Sequence, residues 1–504
     1  MNTAKQLYKC YIRTLSPIHI GCDDVYEPTG FVMDEAARQI VVFNPFAFIE
    51  GMTPADREKF SAICEKGTVS SILEIYKFLK NRPAEGRRVS VCEDFIIHYN
   101  KTLSMSLGNE RAIQQELNRF SIPRTAYLTE DQRPFIPGSS VKGALRTAYL
   151  NLLVPKHKPS GSPDPRMKGA DLEKKLMDYS GIQDDPFRMV KVSDFNPVGD
   201  VQTRIIYGVN EKKRPSINAA RGVPLIFEVI TAGSEFSGVI SVEQPLKEAG
   251  IRQPVELNRL LESATRFYGR EKSRENQELQ IIGIEPLPLP NDNGCLLRCG
   301  RHSGAESLTI EGFRSIKIMG AKGMPPKYKD SSTTLWLASD LKKPEIKKNL
   351  APFGWAAVHA LSDEDALRFS ETERSFIKQR DLILEQKRAD AEKIRKIKVQ
   401  EAAEKQQKET EEREKAIAEE KRQAELAAMS PEDRMIAEIT DPSVTENRVV
   451  EIFNAMNTFP EDKKPALATA LKTYWQQIGK WKKKKCTGKQ WEKVQAVKKI
   501  LGEE

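Results

Sequence analysis

The stretch Arg133-Pro134-Phe135-Ile136-Pro137-Gly138-Ser139-Ser140-Val141-Lys142-Gly143-Ala144-Leu145-Arg146 organises the reading of this chain. Phe135 and Ile136 close a short apolar run, and Pro137-Gly138 signals a turn. Ser139 or Ser140 suits a helix N-cap, and apolar residues from Val141 to Leu153 recur at helical spacing. The free N–H groups and the positive dipole end of such a helix start attract an anion. Gly143 reads as a place where another backbone comes close, and Lys142 and Arg146, four apart, share one helix face. Strand, turn and helix start together outline a site for a phosphate backbone.

The chain has 504 residues, 39% hydrophobic and 30% charged, with a net charge of +9, which permits an anionic partner without demanding one. No apolar run approaches the ~18 residues of a membrane helix. Met1-Asn2-Thr3-Ala4-Lys5 lacks the apolar core of a signal peptide, and seven cysteines do not amount to a disulfide scaffold, so a reduced cytoplasmic setting is expected.

Residues 8–16 alternate as a strand, 31–34 and 39–43 read as a hairpin, and 44–82 as helices. With the strand–turn–helix at 135 these suit a β-α-β-β-α-β sandwich. Residues 155–186 form a Pro/Gly loop carrying Lys156, His157, Lys158, Arg166 and Lys168. Strands follow at 188–194 and 202–207, and 223–230 with 236–242 are expected to pair. Lys213, Arg214, Asn218 and Arg221 occupy a hairpin-like loop, read as a second backbone contact. A helix is expected over 254–270. Cys295 to Thr309 then runs from an apolar strand into a loop with Gly300, Arg301, His302, Ser303 and Gly304, whose N–H groups suit a phosphate. Lys322 sits in a further basic Gly/Pro loop.

Between Trp355 and Ser430 there is neither Gly nor Pro, and residues 363–429 read as one solvated helix or a fraying linker, ~100 Å long if straight. Ser430-Pro431-Glu432-Asp433 starts a small amphipathic helical bundle. Its end is basic, with Lys482, Lys483, Lys484, Lys485 and Lys489 beside Trp481 and Trp491. A solvated helix face and a nucleic-acid contact both fit, the second slightly better, because crowded lysines repel unless an anion sits among them.

The run Ile136 to Arg146 closely resembles the signature of the RAMP superfamily, the RNA-binding subunits of CRISPR effector complexes. Leu15-Ser16-Pro17-Ile18-His19-Ile20-Gly21 resembles the family's first-strand motif, and the loop at Gly300 its glycine-rich loop. Within the family the likeness is greatest to the Csm subunit that caps the crRNA 3′ end in type III-A complexes. The resemblance covers residues 8 to about 360. It implies an α+β chain with two ferredoxin-like RAMP domains, at 1–222 and 223–362, before the helix at 363–429 and the bundle at 430–504. It implies crRNA as ligand, with target RNA reached through it, and neighbouring RAMP backbone and small helical subunits as partners.

It also carries His19, Gly21, Gly138 to Lys142, Arg146 and Gly300 to Gly304 into an RNA-binding role. The backbone RAMP subunit cuts target RNA with an Asp after its first strand. Here Glu27-Pro28-Thr29-Gly30 stands at that point, which implies a binding subunit rather than a nuclease. The alternatives are a RAMP-type endoribonuclease using His19, His302 or Asp23-Asp24, and an adaptor working through the C-terminal helices. No cofactor or metal is expected, since Cys295 and Cys299 lack a second ligand pair for zinc.

Overall fold

The computed structural model describes residues 5–154, 169–217, 220, 222–288, 294–319 and 323–503. They fall into two compact units, 1–381 and 382–504.

The first unit is α+β and holds two sheets. In the first, Lys5–Thr14 lies at the centre, antiparallel to Glu235–Glu243 on one side and to Trp355–Ala360 on the other. Cys10, Ile12 and Thr14 alternate inward, as period two requires. Helices Gly138–Leu153 and Leu257–Ile281 supply Val141, Leu145, Ala148, Leu260, Ala264 and Phe267 to the same core. Tyr268 joins the two helices by donating its hydroxyl to the Ala144 carbonyl at 3.1 Å. Along the chain this is strand, helix, strand Val190–Val192, strand Glu235–Glu243, helix, strand Trp355–Ala360, with the fourth strand beside the first and the first beside the third. That is the ferredoxin-like arrangement, with Cys295–Arg298 added at one edge.

The second sheet runs Ala351–Pro352, Thr334–Ser339, Thr203–Lys212, Gly86–Val91, Gln39–Phe43, Phe31–Asp34, with Leu225–Ile230 also paired to Thr203–Lys212. Every one of these strands lies, in sequence, between strands of the first sheet. The two sheets are therefore nested rather than consecutive, and the expected division at 222/223 falls inside the hairpin Thr203–Lys212/Leu225–Ile230. The expected pairing of 223–230 with 236–242 is likewise replaced: Leu225–Ile230 belongs to the second sheet and Glu235–Glu243 to the first. Thr14 holds the crossover, accepting from Gly233 N–H on its carbonyl (2.7 Å) and from Ser234 N–H on its hydroxyl (2.9 Å). Adjacent strands usually pair, but here a four-residue turn with Gly233 at φ +87° switches sheets.

Asp363–Ala428 is one helix of 66 residues. Its first turns belong to the first unit. Arg133 makes a bidentate pair with Glu373 (2.9 and 2.8 Å), and Phe369 is buried against Tyr11. The boundary expected at 362/363 thus moves to 381/382. From there the helix is largely exposed, in keeping with its lack of an apolar stripe.

The second unit closes with helices Pro431–Thr440, Glu446–Asn454, Lys464–Gln477 and Gly488–Leu501 around Leu467, Leu471, Trp475, Val494 and Val497. Ser430 caps the first through the Asp433 N–H, as expected from the sequence. Among the described residues no helix is long and apolar enough to cross a membrane.

Candidate RNA-binding groove

The signature helix starts at Gly138, two or three residues earlier than a Ser139 or Ser140 cap would place it, and Pro137 precedes it without a side-chain cap. Gly138 N–H donates instead to the Asp194 carboxylate at 2.7 Å. A Cβ on Gly138 would fall against the carbonyl oxygens of Val192 and Ser193, the latter at 2.5 Å. The close backbone approach assigned to Gly143 therefore belongs to Gly138. Gly143 is exposed, with nothing within 4 Å of where its Cβ would be. Ser139 is exposed, Ser140 half-buried, and Val141 fully buried, its side chain in the core.

The two cations of this motif differ. Lys142 is half-buried; burial and then the nearby Lys191 lower its pKa. Arg146 is no free phosphate ligand. Its guanidinium is held by Glu173 (2.9 Å), by both oxygens of Asp185 (3.2 and 3.0 Å) and by the Tyr179 hydroxyl (3.1 Å). A fork this fully matched has few donors left for another anion.

The glycine loop meets the first-strand motif directly. Gly300 has φ +84°, and a Cβ there would lie 2.5 Å from the His19 carbonyl oxygen. Arg301 N–H donates to that same oxygen at 2.8 Å. The Arg301 guanidinium lies over Gly21, where a Cβ would be 2.6 Å from its Cζ, and comes to 3.6 Å from Asp23. This arginine remains 58% exposed, so it is the cation with a free outer side.

The remaining loop residues turn inward, against expectation. His19 is buried, and its Nδ1–H donates to the Glu228 carbonyl at 2.7 Å; burial holds its pKa below the usual range against the pull of that bond. His302, at φ +65°, stacks on Phe227 (4.9 Å between centroids) and packs beside Trp336 (4.7 Å). Burial, then His19 and Arg301, push its pKa down to about 4, so it is neutral at pH 7. Ser303 is buried, its Oγ 2.9 and 2.7 Å from the carbonyls of Cys299 and Gly300. Gly304, at φ +79°, is half-buried and ends the loop above Arg298. Arg298 is itself buried, bonded to Glu275 at 2.6 Å and to the Phe353 carbonyl at 3.0 Å.

Together these elements form one groove. The helix face Ser139, Ser140, Gly143 and Thr147 makes one wall, and Ile20, Gly21, Gly300 and Arg301 the other. Ala144, Arg298, Cys299 and Leu308 complete it. Two motifs more than 150 residues apart thus converge. Thr147 and Leu308 were missed in the sequence; Thr147 was within reach, because Gly143 and Thr147 continue the small-residue face at i+4.

Lys213 is not in the groove. It is buried, 2.5 Å from Glu306 and 3.1 Å from Glu278. Burial raises the Glu306 pKa, but Lys213 and Arg274 prevail and set it at about 2. Arg214 is exposed. Arg221, Asn218, Lys322 and the basic residues Lys156, His157, Lys158, Arg166 and Lys168 lie outside the described residues. Lys482 to Lys485 and Lys489 are exposed on the second unit. Asp24, one of the acids considered for a metal, is engaged by Arg124 (3.1 Å) and the Tyr127 hydroxyl (2.8 Å). Among the described residues no group of three or more His, Cys, Asp or Glu is placed to hold a metal ion.

The sequence profile of the RAMP superfamily matches residues 11–279, and the chain belongs to that superfamily. No curated protein sequence matches it. Among solved structures, a chain of a Csm–crRNA–target RNA ternary complex from a type III-A CRISPR–Cas system is 21% identical. The match covers 70% of this chain and 100% of that one, with a TM-score of 0.50, and supports the α+β RAMP fold. The crystal structure of T. onnurineus Csm5 is 17% identical over 69% of this chain and 99% of its own, with a TM-score of 0.42.

Proposed function

We propose that this chain is a crRNA-binding subunit of a type III-A Csm effector complex, that it caps the 3′ end of the crRNA, and that it does not itself cut RNA. The observation carrying this reading is the groove: a helix face of Ser139, Gly143 and Thr147 and a glycine loop face each other with small side chains, beside one exposed arginine. Such walls let a ribose-phosphate strand approach the backbone, with Arg301 as the cation and the bases left free to pair. The non-catalytic reading is supported by the engagement of the named acid–base candidates. His19 gives its Nδ1–H to a carbonyl, His302 is stacked and neutral, and Asp24 is tied to Arg124. Neighbouring RAMP and small helical subunits are the expected partners.

Two measurements test this. Salt titration of single-stranded RNA binding should give a log K slope of ~0.7 per phosphate contacted, and Arg301→Ala should make it shallower by about one contact. A slope indifferent to Arg301 removes RNA from the groove. Reconstitution of the complex with and without this chain, followed by nuclease protection, should show lost protection at the crRNA 3′ end; loss at the 5′ end instead would overturn the capping assignment.

A further inference from the structure

The charge of the C-terminal unit is divided along its sequence. Residues 430–462 carry eight acids and two arginines, whereas residues 463–504 carry twelve lysines, no arginine and three acids. Four of those lysines are neutralised inside the unit. Lys463 pairs with Asp433 at 2.6 Å, Lys464 with Glu461 at 2.5 Å, Lys472 with Glu503 and Lys480 with Glu446.

The run Lys482–Lys485 is different. It is exposed, its last three residues form a single 3-10 turn, and Lys489 follows in the first turn of the next helix. None of these five has a carboxylate within ion-pair distance among the described residues. A 3-10 turn advances only ~2 Å per residue, so the ammonium groups are crowded. Among the described residues no carboxylate pairs with them to offset that repulsion, although the unit's first half has acids in excess.

We propose that this lysine face is a second RNA-binding site, separate from the groove, that takes the phosphate backbone without regard to sequence. Lysines are flexible point charges, suited to phosphates but poor at reading bases bidentately. The aromatic residues nearby are turned to the unit's own structure: Trp481 and Trp491 pack on its core, and Lys498 lies 5.9 Å from the Trp481 ring centre. The face thus offers charge without an apolar anchor, which favours a polyanion over a folded protein partner. The choice of RNA rests on the function proposed for the groove; the polyanion site does not.

The test uses the full chain and a fluorescent 30-nucleotide oligouridine titrated from about 50 to 300 mM salt. Replacing Lys482 to Lys485 with Gln removes up to four contacts. The log K slope should fall by about 2–3 and affinity near 100 mM by about tenfold or more, while thermal melting is unchanged. Replacing the same four with Arg should restore binding. Arg301→Ala separates the two sites. If it has no effect while the Gln variant does, the groove reading fails and the lysine face stands; an unchanged slope in the Gln variant overturns the lysine face. Polyglutamate competing as well as RNA also overturns it, and assigns the face to an acidic protein.

Discussion

The RAMP body and the C-terminal bundle use positive charge in opposite ways. In the body, two basic residues that look like ligands in the sequence are tied to carboxylates, Arg146 to Glu173 and Asp185 and Lys213 to Glu306, and so is Arg298, to Glu275. What faces the groove is mostly small side chains, with Arg301 as the exposed cation. In the bundle, acids neutralise four lysines and leave the 482–485 run outward. The lesson is that a basic residue in a motif marks a binding site only once its internal partners are known.

The largest test of this contrast is Lys213→Ala. It takes the paired ammonium from Glu306, which is 2% exposed, while Glu278 keeps Arg274 at 2.7 Å, and breaking a buried pair costs about 3–5 kcal/mol. Thermal unfolding should move down by several degrees, while the salt slope of RNA binding by the folded protein stays put. A changed slope with unchanged melting would place Lys213 on RNA after all. Next comes Gly138→Ala. Its new methyl meets main-chain oxygens of Val192 and Ser193, which give way only by backbone movement, so a loss of about 1–3 kcal/mol is expected by chemical denaturation.

A third test is pH. His302 titrates near 4 in the folded chain, against about 6.5 when unfolded. Between those values the unfolded chain holds the extra proton, so stability is full above about 6.5 and declines as pH falls toward 4. His302→Asn, a residue tolerant of positive φ, should flatten the melting temperature across that window. An unaltered pH profile would mean that the ring is not held neutral by its packing.

Much of the local structure was legible in the sequence. The hairpin Phe31–Asp34/Gln39–Phe43, the signature helix and the Ser430 cap follow from period and capping, which act over a few residues. The nesting of the sheets was not legible. Strands Leu225–Ile230 and Glu235–Glu243 read alike, and only long-range partners assign them to different sheets. The roles of the cations were hidden for the same reason. Glu306 lies 93 residues from Lys213 and Asp185 lies 39 from Arg146, beyond any local pattern. The packing of His302 was hidden likewise, since its stacking partners Phe227 and Trp336 come from two distant strands.

Gly143→Ala has the smallest effect on stability and separates the two roles of glycine in this motif. The position lies inside a helix, its backbone is helical, and nothing stands within 4 Å of the added methyl. Replacing glycine by alanine there should stabilise the protein by about 0.5–1 kcal/mol, since alanine loses less backbone freedom on folding. If packing were the only reason for glycine, RNA binding would be unchanged or slightly better. If the groove wall is bare so that a ribose-phosphate strand can lie against it, the methyl intrudes into that space. Affinity then falls in a protein that melts higher, and Gly143→Leu deepens the loss. Opposite signs of stability and binding from one methyl group are an outcome that a purely structural role cannot produce.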